Sequence, residues 1–145
     1  MTGSAQERYL EIKVRTATPG QLVSMLYAGA SRFAKLARES LDAGDLEKTN
    51  HYILKTEAII EELNYSLDME KGGEIAKNLR SLYDFIMERL LTANVKKSKE
   101  ILAEVIELLE DLQQIWNQML EQANPSRPYI QTAKATDSSL NIAVE

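Results

Sequence analysis

Thr18-Pro19-Gly20-Gln21 combines three signals for the start of a helix. The Thr18 hydroxyl is placed to cap the first free N–H groups, and Pro19 suits the first helical position, where no hydrogen bond is lost. Gln21 follows Thr18 by three residues, as a capping box requires. We therefore expect the first long helix to begin near Pro19. Beyond it, apolar side chains recur at spacings of three and four along one helical face. They are Leu22, Met25, Leu26, Phe33, Leu36, Ala37 and Leu41.

Three further amphipathic segments follow, each separated from the last by a short polar or glycine-containing break. Gly44 is the expected left-handed end of the first helix, and Asp45 is the expected cap of the second. The second helix should cover 46–69, the third 74–94 and the fourth 98–122. Four amphipathic segments of similar length, joined by short breaks, predict an all-α fold, namely an antiparallel up-down four-helix bundle.

Two segments lie outside the predicted bundle of residues 18–122. Residues 123–145 are polar and have little periodicity, so we expect a mobile C-terminal tail. Residues 1–17 form an N-terminal arm, which we expect to fold back on the bundle near the first helix as a removable cover. The arm carries the apolar side chains Tyr9, Leu10, Ile12 and Val14.

Composition excludes several classes of function. The 145 residues include 17 basic, 22 acidic and no cysteine side chains, which gives a formal charge of −5. A chain without cysteine has no disulfide framework, Cys-ligated zinc, iron–sulfur cluster or thiol catalysis. An acidic chain lacks the basic footprint that nucleic acid or an anionic membrane requires. No apolar run approaches the roughly 18 residues needed to span a membrane. The polar first ten residues argue against a signal peptide, so we expect a cytoplasmic protein.

The single histidine, His51, raises an alternative function. An outward-facing His on a four-helix bundle is typical of phosphotransfer domains, and Lys48 and Lys55 stand three and four residues away, where they could attract phosphate. Phosphotransfer domains usually carry a glycine soon after this histidine, whereas residues 51–56 contain none. We expect an exposed surface His51 and keep the phosphotransfer bundle as an alternative.

No other constellation predicts catalysis or metal binding. A carboxylate-bridged di-iron bundle needs two Glu-x-x-His motifs, which one histidine cannot supply. The clusters Glu61-Glu62 and Glu107-Glu110-Asp111 are expected to be solvated faces. Gly72-Gly73 lacks the strand-to-helix context of a phosphate loop and is expected to be a turn between helices. We therefore predict no enzyme, no catalytic residue, no metal, no cofactor and no small-molecule substrate.

Apolar residues outside the predicted core faces indicate binding surfaces. A bundle helix needs one apolar stripe, yet the second helix carries a further stripe at Leu54, Ala58 and Tyr65. Val23 and Tyr27 are interpreted as an exposed flank of the first helix. Such grooves commonly receive an amphipathic helix or an extended peptide. The candidate partner-binding residues, including those of the arm, are Tyr9, Ile12, Val14, Val23, Tyr27, Leu54, Ala58 and Tyr65.

The stretch from Tyr9 to Ala30 reads Y-L-E-I-K-V-R-T-A-T-P-G-Q-L-V-S-M-L-Y-A-G-A. It resembles the start of the FliS family, the flagellin-specific export chaperones. That family typically has a Tyr in an N-terminal arm and then V-x-T-A/S-x-P-x-x-L-V-x-M-L-Y-D-G-A. Similar blocks lie at 59–68, 72–79 and 82–94, and Trp116 fits an aromatic near the end of the fourth helix. Eleven residues match the first pattern: Val14, Thr16, Ala17, Pro19, Leu22, Val23, Met25, Leu26, Tyr27, Gly29 and Ala30.

The resemblance implies both a fold and a function. It implies an antiparallel helical bundle that binds newly made flagellin in the cytoplasm, prevents its premature polymerisation and hands it to the flagellar type III export apparatus. One residue departs from the family pattern, because Ala28 stands where an Asp is usual. An adaptor bundle for another exported protein is the remaining alternative.

Overall fold

The computed structural model describes residues 4–123, which form five α-helices and no strand. The all-α class is therefore confirmed for this part of the chain. The predicted tail, apart from Ala123, lies outside the described residues. The helices are α1 (Ala5–Thr16), α2 (Pro19–Asp42), α3 (Leu46–Tyr65), α4 (Gly73–Lys96) and α5 (Lys99–Gln122).

The predicted starts of α2, α3 and α5 are confirmed by side-chain caps. The Thr18 hydroxyl accepts the Gln21 backbone N–H at 3.1 Å, and the Gln21 side chain accepts the Thr18 N–H at 2.9 Å. The side chains of Asp45 and Ser98 likewise accept the N–H groups three residues further along. Gly44 has a φ of 75°, the left-handed conformation that ends α2 without a Cβ clash.

The end of α3 differs from the prediction by four residues. The helix stops at Tyr65, because the Asp68 carboxylate accepts the backbone N–H groups of Glu70 and Lys71 at 3.0 and 2.9 Å. A short acidic side chain that bonds its own neighbouring backbone competes with helical hydrogen bonds.

The N-terminal arm is a helix that stands away from the bundle core. The Ser4 hydroxyl caps α1 by accepting the Glu7 N–H at 3.1 Å, and an Arg15–Glu11 ion pair of 2.6 Å spans its last turns. No residue of α1 is buried. The arm therefore does not bury its apolar side chains against the bundle as expected, and only its end, at Lys13 and Thr16, reaches α2 and α5.

The other four helices pack in a ring in which α2 and α4 each contact both α3 and α5. The start of α5 lies beside the end of α2, since the Lys99 ammonium lies 2.5 Å from the Asp42 carboxylate. At the opposite end, the Trp116 indole N–H donates to the Gly20 carbonyl at 2.8 Å. These contacts are consistent with the expected antiparallel bundle.

Side-chain amides set the register between α3 and α4. The Asn94 amide donates to the Asn50 carbonyl oxygen at 2.7 Å, and the Asn64 amide donates to the Asp84 carboxylate at 3.2 Å. The start of α3 therefore lies beside the end of α4.

The core corrects the interpretation of Val23 and Tyr27. They are 7% and 1% exposed, so they are not on an outer flank of α2. Both belong to a buried row that continues through Ala30, Ala34 and Ala37. The larger apolar residues from which the buried face was predicted lie beside this row. One of them, Phe33, stacks on Tyr52 of α3, and the two ring centroids are 6.1 Å apart.

A pair of tyrosines crosses the centre of the core. The hydroxyls of Tyr27 on α2 and Tyr83 on α4 lie 2.5 Å apart, and the Tyr27 ring also meets the edge of Trp116 on α5 at 6.4 Å. Burial raises the pKa of both tyrosines above their ordinary value of 10.0, and negative charge on Tyr27 would raise that of Tyr83 further. Both side chains therefore stay neutral in the folded chain at physiological pH.

We expect Tyr27→Phe and Tyr83→Phe each to lower the free energy of unfolding by about 1–3 kcal/mol, because each leaves one buried hydroxyl without its partner. The double variant should cost less than the sum of the two single variants, since it removes both hydroxyls. Urea unfolding of all four chains measures the coupling. Strictly additive losses would contradict the role given to this hydrogen bond.

Stability should also fall above about pH 10. Above that pH, Tyr27 and Tyr83 lose their protons in the unfolded chain, whereas the raised pKa values keep both side chains protonated in the folded chain. The unfolded state then binds fewer protons, so stability falls with rising pH by up to about 1.4 kcal/mol per pH unit for each buried tyrosine. The Tyr27→Phe/Tyr83→Phe variant is the control, because its remaining groups titrate as before. A pH series of urea unfolding should give it a shallower alkaline slope than the unmodified chain.

Candidate partner-binding surface

The outward face of α3 carries an uncovered apolar stripe, which we call the α3 stripe: Leu54, Ala58 and Tyr65. Leu54 is 50% exposed, Tyr65 is 88% exposed and Ala58 is also exposed. The opposite face of the same helix buries Ile53 and Ile60 completely. The expected exposure of these three residues is therefore confirmed, although their role in binding is not tested by it.

Exposed apolar residues of α4 lie near one end of the α3 stripe. Leu54 follows Asn50 by one turn, and Leu91 precedes Asn94 by one turn, so both flank the Asn94–Asn50 hydrogen bond. Leu91 is exposed, as is Val95 one turn further along α4. The apolar surface therefore extends from α3 onto the end of α4.

Carboxylates border the α3 stripe. At about 100° per residue, Glu57 and Glu61 lie on one side of the stripe, whereas Glu62 shares the other side with Lys55. Partial burial raises the pKa of Glu57, and the negative charge of Glu61 raises it further. An apolar stripe with carboxylates along one side favours a partner that carries basic side chains beside its apolar ones.

The second exposed apolar surface belongs to α1. Ala5, Tyr9, Ile12 and Thr16 follow one another at spacings of four, three and four, so they share one helical face. Tyr9 is 64% and Ile12 60% exposed, and Val14 is exposed on the opposite face. Six of the eight predicted binding residues are thus accessible, on α1 and α3.

The two remaining predicted residues, Val23 and Tyr27, are part of the core. A signal in the sequence could have revealed this, because Ala30, Ala34 and Ala37 continue the same spacing of three and four. Small residues in such a row let two helices approach closely, and Ala30, Ala34 and Ala37 are all fully buried. The inward side of α2 is therefore the one that carries the small residues.

An open pocket that sequence reasoning missed lies where the end of α1 meets α2 and α5. Its volume is about 400 Å³. Its lining mixes a basic group, amides and hydroxyls with a few apolar side chains, and it holds none of the predicted binding residues. The lining residues are Lys13, Thr16, Ala17, Gln21, Ser24, Met25, Asn117 and Leu120.

His51 is exposed, as expected, and its ring lies beside Tyr52 at a centroid distance of 5.1 Å. Between residues 4 and 123, no three His, Cys, Asp or Glu side chains are grouped so as to hold a metal ion. Within the same residues, no helix combines the length and the apolar character that crossing a membrane requires.

Comparison with known proteins decides which family this architecture represents. A family model described as flagellar protein FliS matches residues 1–123. The chain belongs to the FliS family. FliS proteins are flagellar secretion chaperones and not enzymes.

Named relatives of this FliS-family chain support the same assignment. The flagellar secretion chaperone FliS of Bacillus subtilis (strain 168) is 34% identical over 119 residues, which cover 82% of this chain and 88% of the relative. The Salmonella typhimurium (strain LT2) chaperone of that name is 37% identical over 128 residues, or 85% of this chain and 95% of its own length. The Vibrio cholerae chaperone is 34% identical over 123 residues, with 82% and 90% covered.

Substitution of two neighbouring residues of α3 tests which face of the helix stabilises the fold. Ile53→Ala should lower the free energy of unfolding by about 2–5 kcal/mol, because it empties part of the core. Leu54→Ala should change it by about 0.5 kcal/mol or less, since that side chain is half in water. Urea unfolding of both variants makes the comparison. A large loss for Leu54→Ala would mean that the α3 stripe is structural.

Proposed function

We propose that this FliS-family chain binds unassembled flagellin in the cytoplasm, prevents its premature polymerisation and delivers it to the flagellar export apparatus. The support from related proteins is the name that the similar chains share, flagellar secretion chaperone. The observation that carries the proposal for this chain is the α3 stripe, an apolar surface left in water on the outside of a well-packed core. A partner protein is the natural cover for such a surface.

The fold suits a binding role that involves no chemical reaction. We assign residues 18–122 to an antiparallel four-helix bundle and residues 1–17 to a separate arm. Long helices present apolar side chains along their length, so an apolar segment of flagellin that is unfolded before assembly can order against them. Such ordering costs several kcal/mol, which favours a long contact surface over a small pocket.

The predicted partner-binding residues fall into an exposed group and a buried group. Leu54, Ala58 and Tyr65 on α3, together with Tyr9, Ile12 and Val14 on α1, offer apolar surface directly to flagellin. Val23 and Tyr27 contribute indirectly, because they belong to the buried cluster that also holds Ile53 and Ile60 of α3. Neither nucleic acid, membrane insertion, a cofactor nor a small-molecule substrate has a part in this mechanism.

Leu54→Asp should weaken flagellin binding by about 2 kcal/mol or more, which is roughly a thirtyfold rise in Kd. The reason is that a charge would then face the apolar segment of the partner. Titration calorimetry with purified, unpolymerised flagellin measures the affinity, and circular dichroism checks that the variant remains helical.

Two control variants keep this test specific. Ile115→Asp makes the same kind of change on α5, at a side chain that is 56% exposed and lies outside the α3 stripe. His51→Ala removes the exposed imidazole. Both should bind flagellin like the unmodified chain. Equal losses at positions 54 and 115 would contradict the proposed surface. Failure of the unmodified chain to bind flagellin would contradict the proposed function and favour the adaptor alternative.

A further inference from the structure

Three cations and the single histidine share one outer surface of this acidic chain, which has 17 basic and 22 acidic residues. On α3, Lys48, His51 and Lys55 follow one another at spacings of three and four, so they lie on one helical face. All three are exposed, as is Arg32 on the neighbouring helix α2. We call this surface the α2/α3 patch, and its residues are Arg32, Phe33, Lys48, His51, Tyr52 and Lys55.

Stacked aromatic rings form the centre of the α2/α3 patch. The Phe33 and Tyr52 rings join α2 to α3, with centroids 6.1 Å apart and an angle of 22° between their planes. The Arg32 guanidinium carbon lies 5.3 Å from the centroid of the Phe33 ring, and the centroids of the His51 and Tyr52 rings are 5.1 Å apart. Phe33 and Tyr52 are partly exposed. The centre of the patch can therefore still accept an apolar side chain, with positive charge beside it.

The cations of the α2/α3 patch have no carboxylate partners. Within residues 4–123, Arg32, Lys48 and Lys55 form no ion pair, whereas cations elsewhere on the bundle, such as Lys35 and Arg89, do. A cation without a partner keeps its charge available for a binding partner that brings carboxylates. The positive charge of the patch is therefore not neutralised within the described part of the chain.

The exposed Ala28 contributes to this positive charge. It stands one turn before Arg32, at the position where the FliS pattern usually has an Asp. A carboxylate there would be placed to pair with Arg32 along α2. Acidic side chains instead mark the ends of the patch, because Glu39 on α2 and Glu62 on α3 each lie about two turns beyond it. The patch is thus a short basic surface with an acidic side chain at each end.

We propose that the α2/α3 patch binds an acidic amphipathic helix of a partner protein. Lys48 and Lys55 are seven residues apart, which is about 10 Å along α3, so two carboxylates two turns apart on the partner helix would meet both. Arg32 lies on the α2 side of the aromatic rings and offers a two-pronged contact to a further carboxylate. An apolar side chain between these carboxylates would lie on the Phe33 and Tyr52 rings.

A protein partner fits the α2/α3 patch better than nucleic acid does. Aromatic rings beside cations also occur in proteins that bind single-stranded nucleic acid. Such binding follows a continuous phosphate backbone along a longer basic surface, whereas this chain has a charge of −5 and places Glu39 and Glu62 at the two ends of the patch. A short acidic helix can end before those carboxylates, and a polyanion that runs on would meet them.

The acidic helix is distinct from the flagellin segment proposed for the α3 stripe. Tyr52 and Leu54 lie about 160° apart around α3 at 100° per residue, so the patch and the stripe face different directions. Glu57 and Glu61 along the stripe favour basic side chains on its partner, which is the opposite of what the patch requires. The patch therefore belongs to a partner other than flagellin. Only this distinction rests on the proposed function, because the acidic preference follows from the patch itself.

Binding of a synthetic helix to the full chain tests the charge preference. The probe is a fluorescent alanine-based peptide of about 20 residues, which exceeds the length at which isolated helices are marginal. It carries leucines on one face and glutamates on both sides of them. Fluorescence anisotropy should show binding to the unmodified chain, and Lys48→Glu/Lys55→Glu should raise the Kd at least tenfold. A peptide with glutamine in place of each glutamate should also bind at least tenfold more weakly.

Two further variants make this test specific. Arg80→Glu/Lys96→Glu reverses two exposed cations of α4 that form no ion pair within the described helices, and it should bind the peptide like the unmodified chain. Ala28→Glu should weaken binding several-fold, because it places a carboxylate one turn before Arg32. It keeps the test decisive even if Lys48→Glu/Lys55→Glu were to lose its fold. No binding by the unmodified chain, equal losses in the two double variants, or an unchanged affinity in Ala28→Glu would overturn the proposal.

Two competitors then identify the class of partner. Purified, unpolymerised flagellin should leave the acidic peptide bound, and its displacement by flagellin would overturn the assignment to another partner. Single-stranded oligothymidylate should not displace the peptide either, and displacement would mean that the patch takes nucleic acid. If the unmodified chain bound the acidic peptide and failed to bind flagellin, the proposed function would fail and the acidic-helix site would stand.

Discussion

The hydrogen bond between the Tyr27 and Tyr83 hydroxyls fixes the geometry on which the other features of this chain depend. It joins α2 to α4, and each of these helices packs against both α3 and α5. Two buried hydroxyls each need a partner, and an unpaired one would cost about 1–3 kcal/mol. Rotation of either helix by one position would separate the two oxygens. The pair thus specifies which side of α2 and of α4 points inward, in a way that apolar contacts alone do not.

That inward direction also determines what remains outside. With Tyr27 in the centre, α2 places small residues such as Ala30 and Ala34 in the core, and the helices around it approach closely. On α3, Ile53 and Ile60 then supply the buried contacts, and Leu54 and Tyr65 are left in water. The exposed apolar residues are therefore not needed to fill the core, which is already packed by the residues on the inward faces of the helices. A partner can be bound and released while the fold stays unchanged.

Local chemistry made much of this fold predictable from sequence. The capping box at Thr18 and Gln21 and the caps at Asp45 and Ser98 act within one turn, so their effect is independent of the rest of the chain. The exposure of Leu54, Ala58 and Tyr65 followed from helical periodicity. The burial of Tyr27 could not be predicted in this way, because periodicity assigns the most apolar side chains to the core. In α2 the buried face is instead defined by the hydrogen-bonded Tyr27 hydroxyl and a row of alanines. Likewise, the end of α3 depends on one carboxylate, that of Asp68, which accepts two backbone N–H groups.

An uncovered apolar stripe conflicts with the need of a free chain to stay in solution. The net charge of −5 reduces that conflict, since like charges on neighbouring molecules repel each other at neutral pH. Repulsion weakens as salt screens it over a Debye length of about 8 Å at physiological ionic strength, so charge alone protects only against loose contacts. Closer approach is prevented only if the apolar side chains themselves are covered. The cover must also be easy to remove, so that the stripe can be freed again. An apolar segment that orders only while it is bound meets this condition, because the free energy spent on ordering it lowers its affinity without reducing the surface that it covers.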